Sequence, residues 1–87
     1  MEKRIGAAII LIENKENIDT MNHILSMNSG IILARQGIPL RDKQISVINL
    51  IVEGTNDQIN ALTGKIGRLE GVQVKSVFTQ FRDLKQI

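Results

Sequence analysis

Two stretches of this chain are apolar in every direction that a strand can point. "RIGAAIILI" at residues 4–12 and "ISVINLIV" at 45–52 carry aliphatic side chains at odd and even positions alike. Successive side chains of a β-strand leave opposite faces of the sheet. In the first stretch Ile5, Ala7, Ile9 and Leu11 point one way, and Gly6, Ala8, Ile10 and Ile12 the other. In the second, Ile45, Val47 and Ile51 oppose Ile48, Leu50 and Val52. Both strands therefore need cover on two sides. With 87 residues the chain makes one small domain, and a single layer of helices covers only one of those sides.

The remaining segments supply that layer. After the first strand, "ENKEN" is a polar turn in which Asn14 is placed to cap a helix and Glu16 to lie in its first turn. Ile18, Met21, Ile24 and Leu25 then share a helical face, and "NSG" at 28–30 stops the helix, with Gly30 suited to the left-handed terminal position. "IILARQ" at 31–36 reads as a second strand and "GIPLRDK" as a loop, because Pro39 cannot donate to a ladder. The third strand spans 44–53. Thr55 and Gln58 then stand at capping-box spacing before a helix whose face carries Ile59, Leu62, Ile66 and Leu69. Gly71 ends that helix, "VQVKSVF" at 72–78 alternates as a fourth strand, and 79–87 is a strand extension or a tail. The order β-α-β-β-α-β predicts one ferredoxin-like domain over 1–87: an antiparallel sheet with two helices on one face.

The uncovered sheet face would expose more apolar surface than soluble monomers commonly carry. The expected remedy is a homo-oligomer, a dimer or tetramer. The competing cover is the C-terminal tail, folded back through Phe81 and Leu84. Gly64 and Gly67 fall opposite the apolar stripe of the second helix. Each costs about 0.5–1 kcal/mol relative to alanine in a helix interior, so the pair reads either as an outward contact surface or as glycine tolerated at solvent positions.

Little in the chain looks catalytic. There is no cysteine and one histidine, His23, on the polar side of the first helix, so no metal-ligand cluster is predicted. No phosphate-binding glycine loop is present, and the serines lack a neighbouring base. No motif identifies a cofactor. The net charge is only +2 with both signs interleaved, and two phenylalanines are the only aromatics. That argues against direct DNA binding and against base stacking. The longest apolar run, 7–12, is too short to span a bilayer, and "MEKRIG" lacks the features of a signal peptide, so a cytoplasmic protein is expected. Three polar features remain as candidate ligand-binding residues. Asn49 interrupts the apolar third strand, where an unpaired buried amide would cost about 1–3 kcal/mol. Arg35 closes the second strand and could hold an anion or a carboxylate. Asn14 belongs to a turn whose free N–H groups could receive an anionic ligand.

The segment "RQGIPLRDKQISVINLIVEGTNDQINALTGKIGRLEGVQVKSV" resembles, almost end to end, the small proteins proposed as regulators of the iron-only hydrogenase system. The resemblance rests on Arg-x-Gly-Ile-Pro at 35–39, Ile-Ser-Val-Ile at 45–48, "GTND" at 54–57 and "LTGKIGRLEGVQVKSV" at 62–77, and extends over residues 4–78. Such proteins are similar to ACT-like regulatory domains and to the C-terminal sensing domain of nickel-responsive regulators. The resemblance thus implies a ferredoxin-like dimer or tetramer, often with small effectors between subunits. The histidines and cysteine that ligate metal in nickel-responsive regulators are missing here, and the first strand begins too early for their DNA-binding segment. The expected function is a non-enzymatic regulatory module that binds a small effector or a partner protein. The alternative is an accessory assembly protein for a metalloenzyme, acting through protein contacts without a ligand.

Overall fold

The computed structural model describes residues 2–13 and 15–83. Four strands, β1 (Lys3–Ile12), β2 (Ile32–Leu40), β3 (Ile45–Gly54) and β4 (Val72–Asp83), form one antiparallel sheet in the order β2-β3-β1-β4. Two helices, α1 (Ile18–Met27) and α2 (Asn56–Gly67), link β1 to β2 and β3 to β4. The two strands that are apolar in both parities, β1 and β3, occupy the centre, in register from Arg4 opposite Gly54 to Ile12 opposite Ser46.

The helices cover one face of the sheet. Ala8, Ile10 and Ile12 of β1 and Ile48, Leu50 and Val52 of β3 are buried there against Met21 and Leu25 of α1 and Ile59, Leu62 and Ile66 of α2. Fully burying such a side chain is worth about 1.5–3 kcal/mol, so this cluster is the main source of cohesion. Among the described residues nothing covers the opposite face. Ile9, Ile38 and Val77 are 53%, 44% and 67% exposed on it.

The start of α2 follows the sequence closely. Thr55 Oγ1 accepts from the Gln58 N–H at 3.2 Å, and Gln58 Oε1 accepts from the Thr55 N–H at 2.9 Å, a complete capping box. The other end departs from expectation: α2 stops at Gly67 with Arg68 as its C-cap, so Gly71 does not end the helix but, at φ 74°, turns the chain into β4.

Several sequence-based expectations are corrected. A turn of 3-10 helix at Lys15–Asn17 leads into α1, whose N-cap is Asn17, with no side-chain cap bond. The Asn17 amide instead donates to the Glu70 carbonyl across the fold. Asn14 lies outside the described residues. Gly30 does not adopt the left-handed conformation; α1 ends at Asn28, whose amide donates to the Ile24 carbonyl at 2.8 Å, and a short 3-10 turn carries Gly30. The loop expected at 37–43 is shorter, because β2 continues through Pro39, opposite Ser46. Proline is tolerated there since β2 is an edge strand, where an N–H can face solvent. The turn that follows contains Gln44 at φ 57°. Of the two readings of 79–87, the strand extension holds through Asp83, which pairs with Lys3. Leu84 lies outside the described residues.

Candidate functional site

β2 is a poorly covered edge of the sheet. From Leu33 to Pro39 it is exposed throughout, because the helices lie over the core formed on β1 and β3. Residues of β2 opposite Leu50, Ile48 and Ser46, namely Arg35, Gly37 and Pro39, nevertheless point to the helix side. They form one wall of a cleft whose other wall is α1.

Arg35 bridges that cleft. Its Nη2 donates to Oδ1 of Asn22 on α1, which leaves the other donors of the guanidinium for an incoming acceptor. A hollow opens on each side of this bridge. One, of about 200 Å³, lies over Ile12, Ile18, Pro39, Ser46 and Ile48; the other, of about 210 Å³, lies beside Leu25, Ser26, Ser29 and Ile32. Arg35 borders both and is, among the described residues, the only charged side chain lining either. An apolar cleft with one cation and flanking hydroxyls suits a small anion with an apolar body. It contains no acid–base pair or activated nucleophile.

The candidate residues are not brought together. Arg35 faces the helices, whereas Asn49 is exposed on the bare face, opposite Ile9 of β1 and Gln36 of β2. Its amide is open to water in the single chain, so no unpaired-amide cost arises there. His23 is exposed on α1. Among the described residues no three of His, Cys, Asp and Glu gather where they could hold a metal. The two glycines also separate. A Cβ on Gly64 would meet open space, but one on Gly67 would come within 3.3 Å of Val74 Cγ1, so Gly67 serves the packing of α2 on β4. Asn22 is not singled out by the sequence, and Ser26 and Ser29 are weighed there only as nucleophiles. Asn22 and Ser26, at i and i+4, share one strip of α1, which is an available signal, whereas Ser29 is placed by the 3-10 turn that follows the helix.

Among the described residues no helix is long and apolar enough to cross a membrane. No curated protein sequence matches the chain. Solved structures do. The structure of the uncharacterized protein TM1266 from Thermotoga maritima is similar at 34% identity and a TM-score of 0.86, over 90% of this chain and 99% of that one. The C-terminal domain of the MgtC protein from Mycobacterium tuberculosis matches at 9% identity and a TM-score of 0.68, over 94% of both chains. A homoserine dehydrogenase from Thiobacillus denitrificans matches at 20% identity and a TM-score of 0.63, over 87% of this chain but 17% of that one. The last two likenesses concern the fold alone. The family model of TM1266-like proteins matches residues 4–76. With that match and the 34% identity to TM1266, the chain belongs to the TM1266-like family of proposed iron-only hydrogenase system regulators.

Proposed function

We propose that this chain is a non-enzymatic, cytoplasmic regulatory module of an iron-only hydrogenase system. In this reading it has a ferredoxin-like, ACT-like fold, works as a homo-oligomer and binds a small effector. The observation that carries the reading is the α1–β2 cleft, where Arg35 is the one charge among apolar walls and small hydroxyls. Family membership supplies the hydrogenase system; the cleft supplies a place for a signal to bind. The effector is a small organic anion, its carboxylate or phosphate held by Arg35 and its body lying in one of the two hollows.

Native mass spectrometry of gently purified protein tests this. An oligomer carrying extra non-covalent mass, lost in Arg35→Ala without change of oligomeric state, is the expected result. A bare oligomer that instead recovers a metalloenzyme maturation protein from its own cell extract, equally well with Arg35→Ala, would favour the accessory assembly role. A change of oligomeric state in Arg35→Ala would make that residue part of an interface.

A further inference from the structure

The bare face of the sheet has an internal pattern that specifies how it is covered. Cross-strand partners share a face, so the register resolves this face into rows that run β2, β3, β1, β4. One row reads Ala34, Ile51, Ala7, Val77, and the next Gln36, Asn49, Ile9, Lys75. The first alternates small and large. The second is polar except for Ile9, and it crosses the middle of a surface that is otherwise mainly aliphatic, with Gln73 and Glu53 towards its margins.

We propose that the occupant of this face is a second copy of the chain, packed sheet to sheet about a two-fold axis that runs parallel to the strands between β3 and β1. This deepens the oligomer of the proposed function and rests on it. That axis lays β2 over the partner's β4 and β3 over the partner's β1. Ala34 then meets the partner's Val77, and Ile51 meets the partner's Ala7, so each large side chain enters the space left by a small one, as dense packing requires. In the polar row the partner's Lys75 ammonium can donate to the Gln36 amide oxygen, while Asn49 lies over the partner's Ile9 and has Gln36 of its own chain, its cross-strand neighbour, as the nearest amide to pair with. The other two-fold arrangement, with its axis across the strands along the polar row, stacks Lys75 on the partner's Lys75, and like charge disfavours it. The size of the face is sufficient. Four strands about 4.8 Å apart and about 30 Å long present roughly 600 Å² per copy, or roughly 1,200 Å² in all, the lower bound of stable interfaces.

The chain has no cysteine, so introduced thiols report geometry directly. Ala34 and Val77 lie on the two edge strands with β3 and β1 between them, too far apart to be bridged within one chain by a short linker. Packed sheets stand about 10 Å apart, beyond the reach of a disulfide, so a short bismaleimide is the reagent. The paired variant Ala34→Cys with Val77→Cys should give covalent dimers in high yield, and Lys75→Cys alone should give few. Efficient linking of Lys75→Cys with none from the pair would overturn the axis. Oligomers in which neither variant links would overturn the sheet-to-sheet interface but leave the oligomer of the proposed function intact. Monomers at micromolar concentration would overturn both. So would a monomer that gains mass only with a different protein, to which the face would then belong. Ile9→Lys, on the exposed side of the sheet, should give a folded monomer by circular dichroism and sedimentation. A folded dimer of unchanged affinity would count against the proposal.

Discussion

The two β-α-β halves of this domain are built to different degrees of completion. In the second half, α2 begins with a full capping box, buries three side chains, and approaches β4 closely enough that a methyl at Gly67 would crowd Val74. In the first half, α1 begins through a 3-10 turn without a side-chain cap, buries two side chains, and faces an edge strand exposed along almost its whole length. The difference lies in what fills the space between helix and edge strand. Beside α2 that space is filled by the protein itself. Beside α1 it holds a single Arg35–Asn22 bridge with a hollow on either side. Close packing is thus concentrated in one half, and open cleft in the other.

The largest effect that would test this asymmetry is a core truncation. Ile66→Ala, at a fully buried site of α2, should cost about 2–5 kcal/mol in denaturant unfolding at fixed protein concentration. Ile18→Ala, half-buried beside the cleft, should cost distinctly less, and equal costs would break the comparison. Next comes capping. Thr55→Ala should lower stability by about 1 kcal/mol, because it removes the acceptor for the Gln58 N–H. A third test works in the stabilising direction. Gly64→Ala should add about 0.5–1 kcal/mol, since its new methyl meets nothing. Gly67→Ala should gain less, because its methyl is crowded by Val74. If Gly64 is also a contact surface, Gly64→Gln should weaken association in sedimentation while the helix signal holds. The smallest effect belongs to the open half. Arg35→Ala should change unfolding by less than about 0.5 kcal/mol, its consequence being confined to binding.

The legible parts of the fold are those governed by local chemistry. Short continuous apolar runs placed β1 and β3, and the Thr55–Gln58 spacing placed α2, because a capping box is satisfied within four residues. The misread parts depend on tertiary position. Pro39 argues against a central strand, and nothing in the local sequence says that β2 is an edge. Gly30 looked like a helix terminus because glycine usually takes that role, yet the Asn28 amide satisfies the Ile24 carbonyl instead. Of the site, Arg35 was legible as an isolated cation in an apolar setting. Its partner Asn22 was not, being 13 residues earlier and brought close only by the β1–α1–β2 crossing. Gly64 and Gly67 looked equivalent on a helical wheel, which shows angular position but not where a neighbouring strand lies.

The place of β1 in the sheet also governs how the chain assembles in time. β1 is the earliest strand in the sequence, yet it sits between the two later strands β3 and β4. Its outer pairing joins Lys3 to Asp83, and the Thr79 hydroxyl donates to the Ile5 carbonyl across 74 intervening steps of chain at 2.8 Å. Closing loops of that length precedes any reward from the contacts, which slows folding relative to a locally wired helical domain. During synthesis β1 can pair with β3 on one side while its other edge waits for β4. For that interval "AAIILI" at 7–12 stands as an unprotected, uncharged template of the kind that recruits other chains. Slow translation between residues 54 and 72 would prolong the exposure, and yield of soluble protein should fall accordingly.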